Sequence, residues 1–463
     1  MDLSLYIGLA GTLFIIVSLS VWSASRANKT QHNNIGVVAG LITGTLVGGS
    51  STIGTAQLAF QFGMSAWWFT LGSGIACLAL ALVYAIPLRR TGCATLAGII
   101  RAEYGSRVGM AVSVLSSVGA FINIIPQLLS ATAVIAVLLP SLSLGAAIVL
   151  SVVFMILYVI FGGTKGAGMV GIVKLALLYI AMLACGMMVL RMVGGLPDFL
   201  QMVDHINDPV CPNFFHLFAR GFDTDAGACL SLLLGVLTTQ TYAQAVLSGK
   251  RDRDGVGGAL ISAFLIPPIG IGGILVGLYM RANMALYTGL TPKVALTAFI
   301  TTHMPPLLAG IVLGTLFITA VGTGAGVALG ISTTLVKDIM APLLRRINRR
   351  TPTMLTKGMI VLVLTGAGLL ACGPLGDTIL QFSFMSMGLR GAVVFVPLSC
   401  ALWLPSQIPK QYILASVLIG PGLVLLFGLW DVLPFDPLFA GVMASILIAA
   451  IGLCHHRKVP NFG

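Results

Sequence analysis

Residues 44–55 read GTLVGGSSTIGT, four glycines and five hydroxyl side chains where a lipid-facing helix would carry bulky apolar ones. The run lies inside an apolar stretch, 36–62, that exceeds the roughly 20 residues a helix needs to cross a bilayer. Each glycine in a helix interior costs about 1 kcal/mol. Ser and Thr hydroxyls can bond the carbonyls that a broken helix frees. Two readings are open: close packing of helices through small residues, or an interrupted helix of the kind that builds a transport site. A matching weak point, GVLTTQT at 235–241, lies in the apolar stretch 226–248, five such stretches later. The matched positions favour the interrupted helix, and they are what two inverted five-helix repeats would give.

Outward from these runs, the chain is apolar nearly throughout. Its 463 residues are 57% hydrophobic and 8% charged, with a mean hydropathy of +1.04. A soluble domain carries about a quarter charged residues, so lipid is the expected solvent. Apolar stretches fall near 3–23, 36–62, 65–88, 108–138, 143–162, 166–192, 226–248, 256–280, 306–336, 356–373, 377–402, 409–429 and 437–454. Helices satisfy their own backbone in lipid, so the reading is an all-α membrane bundle of about thirteen spans. It is one transmembrane domain over 1–463: an extra helix at 3–23, repeats at 36–192 and 226–402, and two last helices at 409–454. Only Asp2 precedes the first apolar run, so no cleaved signal peptide is expected. The eight cysteines show no C-x-x-C spacing and read as small core residues, with no metal site among them.

The formal charge of +12 reads as topology, with no nucleic-acid partner implied. One set of loops holds Arg26, Lys29, Arg89, Arg90, Arg101, Arg107, Lys250, Arg251, Arg253, Lys337, Arg345, Arg346, Arg349, Arg350, Lys357, Lys410, Arg457 and Lys458. The alternate loops hold most of the acids, among them Asp198, Asp204, Asp208, Asp223, Asp225, Asp377, Asp431 and Asp436. The positive-inside rule then puts the N-terminus outside and the C-terminus in the cytoplasm of a cell with this protein in its inner membrane.

The motifs resemble the sodium:solute symporter family, over about residues 5–430. GGSSTIGTAQLAFQFG at 48–63 is similar to the family's Ser/Gly-rich first core helix. TLAGIIRAEYGSR at 95–107 looks like its cytoplasmic T-x-x-E-x-x-x-x-R-[YF]-G element, YVIFGGTKG at 158–166 like its Tyr…Gly-Gly-Leu-Lys turn, QTYAQAVLSGK at 240–250 like its Q-x-x-x-Q-R run, and STTLVKDI at 332–339 like the end of its ninth helix. The resemblance implies a leucine-transporter-type fold and solute uptake by alternating access, with Na+ as a possible coupling ion and no other cofactor. It implies a central cation site from Gly44 and Val47 on the second span with Thr319, Gly322 and Thr323 on the ninth. It implies a solute site from Ser51, Ser73, Thr239, Gln240 and Gln381, and the neighbouring polar residues Ser50, Asn123 and Gln127 are candidates to join it. This chain departs from the family at three places. Gly322 has no hydroxyl, Gly171 stands where an aspartate is frequent, and Ala245 replaces the arginine after the second Gln.

Two bases fall at membrane depth, Lys174 and Arg390, and no acid does; Glu103, the single glutamate, reads as a loop residue. A charge at the bilayer centre costs about 2.5–3.5 kcal/mol by insertion scales. Lys174 lies about nine residues into its span, or about 13 Å, within partial reach of snorkelling. Alternatively its ammonium takes the place of sodium, and since lysine can lose its proton when desolvated, it could carry a coupled proton. Arg390 reads either as a structural arginine or as the partner of an anionic or zwitterionic solute. The competing functions are an ordinary sodium symporter with a degraded site and a membrane sensor on a transporter-like bundle. No enzyme motif such as H-E-x-x-H is present.

Overall fold

The computed structural model describes residues 2–26, 33–162, 167–206, 211, 213–287, 290–336, 351–373, 378–430 and 433–458. The expected basic residues Lys29, Lys337, Arg345, Arg346, Arg349 and Arg350, the acids Asp208, Asp377 and Asp431, and the ends of the 158–166 and 332–339 motifs lie outside the described residues.

Every regular element among the described residues is helical. The first half runs α1 (Leu3–Arg26), α2 (Ile35–Leu46), a π-helical turn (Ser50–Gly54), α3 (Thr55–Phe62), α4 (Trp68–Ala79), a second π-turn (Leu80–Tyr84) and α5 (Ala85–Arg90). It continues with α6 (Leu96–Tyr104), α7 (Ser106–Ile122), α8 (Ile124–Leu138), α9 (Leu144–Gly162), α10 (Ala167–Val193) and α11 (Leu196–Asp204). The second half has α12 (Phe222–Thr238), α13 (Gln240–Leu247), α14 (Asp252–Leu265), α15 (Pro267–Ala282), α16 (Ala295–His303) and α17 (Pro306–Thr334). The last four are α18 (Thr351–Ala371), α19 (Ile379–Trp403), α20 (Lys410–Trp430) and α21 (Pro437–Lys458). Among the described residues nine helical stretches are long and apolar enough to cross a membrane, ten if the bent α12–α13 pair is one span, with three shorter apolar helices besides.

One of those stretches, Ser50–Arg90, is divided at Gly63, whose φ of +60° is left-handed and suits glycine. A Cβ there would lie 2.1 Å from the Phe214 carbonyl oxygen. Large apolar side chains such as Phe14, Leu82, Leu183, Phe264 and Leu362 project outward from the helices, the inverse of a soluble fold and the arrangement lipid favours. Inside, α12 packs on α4 and α19, α10 on α2, α15 on α3, α17 on α1 and α8, and α13 on α2. Thus the half-helix after the second break lies against the half-helix before the first.

The ends of the bundle differ in charge. At the basic end Arg89 donates from its NH1 to the carbonyls of Val246, Leu247 and Gly249 and pairs through Nε with Asp252 at 2.8 Å. An arginine read from sequence as a topology marker therefore also caps α13. At the other end Asp225 is fully buried in the first turn of α12, which corrects its placement in a loop. It accepts from Ser65 Oγ at 2.7 Å and from Arg220 Nε at 2.8 Å.

Candidate functional site

The first break occupies residues 47–49, between α2 and the π-turn. Val47 leaves the helical region at φ −84°, ψ 105° while its N–H still reaches the Thr43 carbonyl. The next two amides turn to side chains: Gly48 N–H donates to Ser51 Oγ at 3.0 Å and Gly49 N–H to Gln127 Oε1 at 3.0 Å. The π-turn then closes with Gly54 N–H on the Gly49 carbonyl. The hydroxyl-rich composition is thereby explained, because Ser51 and Thr52 return their hydroxyls to the Gly48 carbonyl. A Cβ on Gly48 or Gly49 would meet Gln127 at 2.8 Å or Ser130 at 2.2 Å.

With Gly48 N–H diverted, the Gly44 carbonyl lacks its i+4 donor. Lys174 supplies one: Nζ stands 2.8 Å from Gly44 O and 2.8 Å from Thr323 Oγ1. Lys174 is 8% exposed, and no carboxylate pairs with it among the described residues. It reaches Gly44 because α10 and α2 touch through backbone at Gly171, where a Cβ would stand 2.4 Å from the Gly40 carbonyl oxygen. That contact gives a physical reason for the absence of an aspartate at 171. Thr319, one turn before Thr323, carries a buried hydroxyl without a hydrogen-bond partner among the described residues. At Gly322 a Cβ would meet the Tyr158 ring and hydroxyl at 3.3 Å, so Tyr158 fills the space of the missing side chain. Gly44, Lys174 and Thr323 are thus brought together, with Thr319 and Gly322 alongside. While Lys174 carries its proton, a sodium ion on the same two oxygens would be repelled by the ammonium.

The second break falls at Thr239, where α12 and α13 meet at a bend of 48°. Thr238 and Thr239 turn their hydroxyls back to the carbonyls of Leu234 and Gly235 at 2.6 Å. Arg390 donates from NH1 to Thr239 Oγ1 at 2.8 Å, from Nε to the Ser386 carbonyl at 3.1 Å, and from NH2 to Ser386 Oγ at 3.0 Å and Met387 Sδ at 3.1 Å. It is 5% exposed and all of these partners are neutral. Seven residues earlier on α19, Ser383 Oγ and Ser50 Oγ are hydrogen-bonded at 2.7 Å, and Gln127 Nε2 donates to Ser50 Oγ at 3.2 Å. Helix α19 therefore bonds both breaks.

Other candidates sit elsewhere. Ser73 is buried and donates to the Phe69 carbonyl. Asn123 is half-buried at the α7–α8 joint, and Gln381 is exposed. Gln240 faces away from the breaks: Oε1 accepts from Leu96 N–H at 2.8 Å and Nε2 donates to the Ala94 carbonyl at 3.3 Å, at the start of α6. Ser383 and Ser386 were missed from sequence, although their i, i+3 and i+7 spacing with Arg390 marks one polar stripe on α19.

A family model for sodium:solute symporters matches residues 33–406. The chain belongs to the sodium:solute symporter family. That family and the structural neighbours are transporters rather than enzymes. A curated relative, the uncharacterized symporter YwcA of Bacillus subtilis (strain 168), is 29% identical over 198 residues; the match spans 41% of this chain and 38% of that protein. Among solved structures, a substrate-bound, outward-open Na+-coupled sialic acid symporter aligns at a TM-score of 0.75 and 16% identity, over 99% of this chain and 98% of that one. Mhp1 in its inward-facing conformation aligns at 0.56 and 14%, over 92% of each chain. A manganese transporter from Eremococcus coleocola aligns at 0.51 and 14%, over 92% and 95%. At such identities these structures establish the leucine-transporter-type fold alone.

Proposed function

We propose that this symporter-family member imports a small organic anion or zwitterion by alternating access, with the Lys174 ammonium standing where the family holds its central sodium, so that uptake is independent of sodium. The observation that carries the reading is the pair of 2.8 Å contacts from Lys174 Nζ to Gly44 O and Thr323 Oγ1. A lysine is a point charge with three donors, and it engages one oxygen from each of the two helices a cation would join. Lys174 is then also the group that takes up and releases the coupled proton. The preference for a carboxylate rests on Arg390, a second buried cation with neutral partners. The proposal follows the loop charges in placing the basic end in the cytoplasm, with the N-terminus outside. Thirteen spans and inverted repeats at 36–192 and 226–402 complete it.

A sodium-coupled cycle is the second reading. It is favoured by the Thr319 hydroxyl, unpartnered among the described residues, which would gain a ligand once Lys174 swung away.

Thermal shift with the purified chain separates the two. Exchange of choline chloride for sodium chloride leaves the wild-type Tm unchanged, and a panel of organic acids and amino acids stabilises it equally in either salt. A sodium-dependent rise in the wild-type Tm overturns the proposal.

A further inference from the structure

Helices α4–α5 and α19 touch near both ends, and the two contacts are equally spaced along each. Near the acidic end Phe69 and Phe384 meet edge-on, with centroids 5.7 Å apart at 61°. The Arg220 guanidinium lies 5.4 Å over Phe384, fixed by Asp225 and by Ser65. Fifteen residues further along both helices, Tyr84 Oη and Ser399 Oγ share a hydrogen bond of 2.7 Å. The Tyr84 ring there meets Trp403 edge-on at 4.9 Å and 87°. Fifteen helical residues span about 22 Å; Arg390, which engages the second break, lies within this interval, and Ser383, which engages the first, sits one residue before Phe384 at its acidic end. Tyr84 closes the π-turn Leu80–Tyr84, and π-bulges inside helices concentrate at functional positions.

We infer that this one helix pair carries both gates of the transport path. Phe69–Phe384 under Arg220 is the gate at the acidic end, Tyr84–Ser399–Trp403 is the gate at the basic end, and the described state has both shut. The inference deepens the alternating-access reading and adds its gating residues. With contacts equally spaced on both helices, a tilt of α4 against α19 that parts one pair presses the other together, so a single lever keeps the two from opening at once. Neither gate touches Lys174, so gating and cation substitution are separate properties.

The chain supplies its own reporter. Cys77 is a free, fully buried thiol on α4, eight residues past Phe69 and seven before Tyr84. The probe is a membrane-impermeant cationic methanethiosulfonate, applied to one face at a time of vesicles holding the full chain. Modification of Cys77 is read by peptide mass spectrometry, which resolves it from the other cysteines. Wild-type Cys77 reacts slowly from both faces. Losing one edge-on aromatic contact shifts opening by about tenfold. Tyr84→Ala therefore raises the rate by about that factor from the basic face alone, and Phe384→Ala from the acidic face alone. Tyr84→Phe and Ser399→Ala keep the packing and lose only the hydrogen bond, so each produces a smaller rise, again from the basic face. Equal acceleration from both faces, or none in any of the four variants, overturns the inference. The assay uses no solute and no ion gradient, so a sodium-dependent uptake result would defeat the cation proposal and leave the gates standing.

Discussion

Gly44 and Gly171 stand backbone to backbone: a Cβ built on Gly44 would lie 2.6 Å from the Gly171 Cα. This approach sets the reach of Lys174, one turn along α10 from Gly171, to the Gly44 carbonyl. Alanine at 171 would put its methyl 2.4 Å from the Gly40 carbonyl oxygen, a backbone atom that cannot rotate away. Overpacking of this kind costs about 1–3 kcal/mol. Gly171→Ala lowers Tm and lengthens the Lys174 contacts, and Gly171→Asp lowers it further. A thermal melt of both variants beside Gly326→Ala, where a Cβ meets nothing within 4 Å, checks this.

Arg390 holds four contacts, and the weakest is to Met387 Sδ, because a thioether is a poor acceptor. On the proposed function, a solute carboxylate would displace that one first and gain a charge-assisted bond. Arg390→Gln therefore raises the KM of a carboxylate solute by tenfold or more, the roughly 1.5–3 kcal/mol of a hydrogen bond to a charged group. The amount of folded protein changes less. Arg390→Lys keeps the charge and loses the fork, and gives an intermediate KM. Uptake kinetics normalised to protein in the membrane separate the solute role from a structural one, for which KM would stay put.

Much of this was legible beforehand for a physical reason. A helix that breaks inside lipid must house its freed amides and carbonyls, and GTLVGGSSTIGT and GVLTTQT announce that need through composition alone. The buried bases at 174 and 390 announce themselves in the same way, since a charge in an apolar run is costly. What the sequence did not reveal are pairings across hundreds of residues. Nothing local tells Ser383 to meet Ser50, or Asp225 to bury itself against Ser65 and Arg220. The direction of Gln240 was not legible because an amide one residue past a break can face either way; here it bonds the amide at the start of α6.

That amide makes Gln240 a tether between α13 and α6. Gln240→Ala removes both of its hydrogen bonds, a net loss of about 1 kcal/mol each. Gln240→Glu keeps the acceptor for Leu96 N–H and loses the donor to Ala94, so its effect is about half. Hydrogen exchange at residues 94–98 reports the loosening, and faster exchange in Ala than in Glu than in wild type is the expected order.

Among aromatic rings near the acidic end, His303 accepts or donates a 2.6 Å hydrogen bond with Tyr287 and packs on Tyr279 and Phe299. Burial lowers its pKa from the ordinary 6.5, so the folded chain prefers the neutral ring. The unfolded chain binds the proton first as pH falls, so the stabilisation is present above 6.5 and is lost as pH drops through the lower folded value. Wild type therefore loses more Tm between pH 7.5 and 5 than His303→Gln does; parallel pH profiles would contradict the assignment.

Asp225 carries the largest single stability effect expected outside the cation site. Its side chain is fully buried, and Ser65, the Arg220 guanidinium and the Arg220 backbone N–H all donate to it. Removing one partner of such a pair strands the other charge, at a cost of about 3–5 kcal/mol. Asp225→Asn retains the shape and loses the charge, leaving Arg220 over Phe384 without its hydrogen-bonded counter-ion. Tm falls steeply in Asp225→Asn and less in Ser65→Ala, which removes a neutral hydroxyl. In Arg220→Met with Asp225→Asn both charges are gone and an apolar chain still covers Phe384, so part of the lost Tm returns. A double variant less stable than Asp225→Asn alone would mean that the guanidinium contributes through the Phe384 ring more than through the carboxylate.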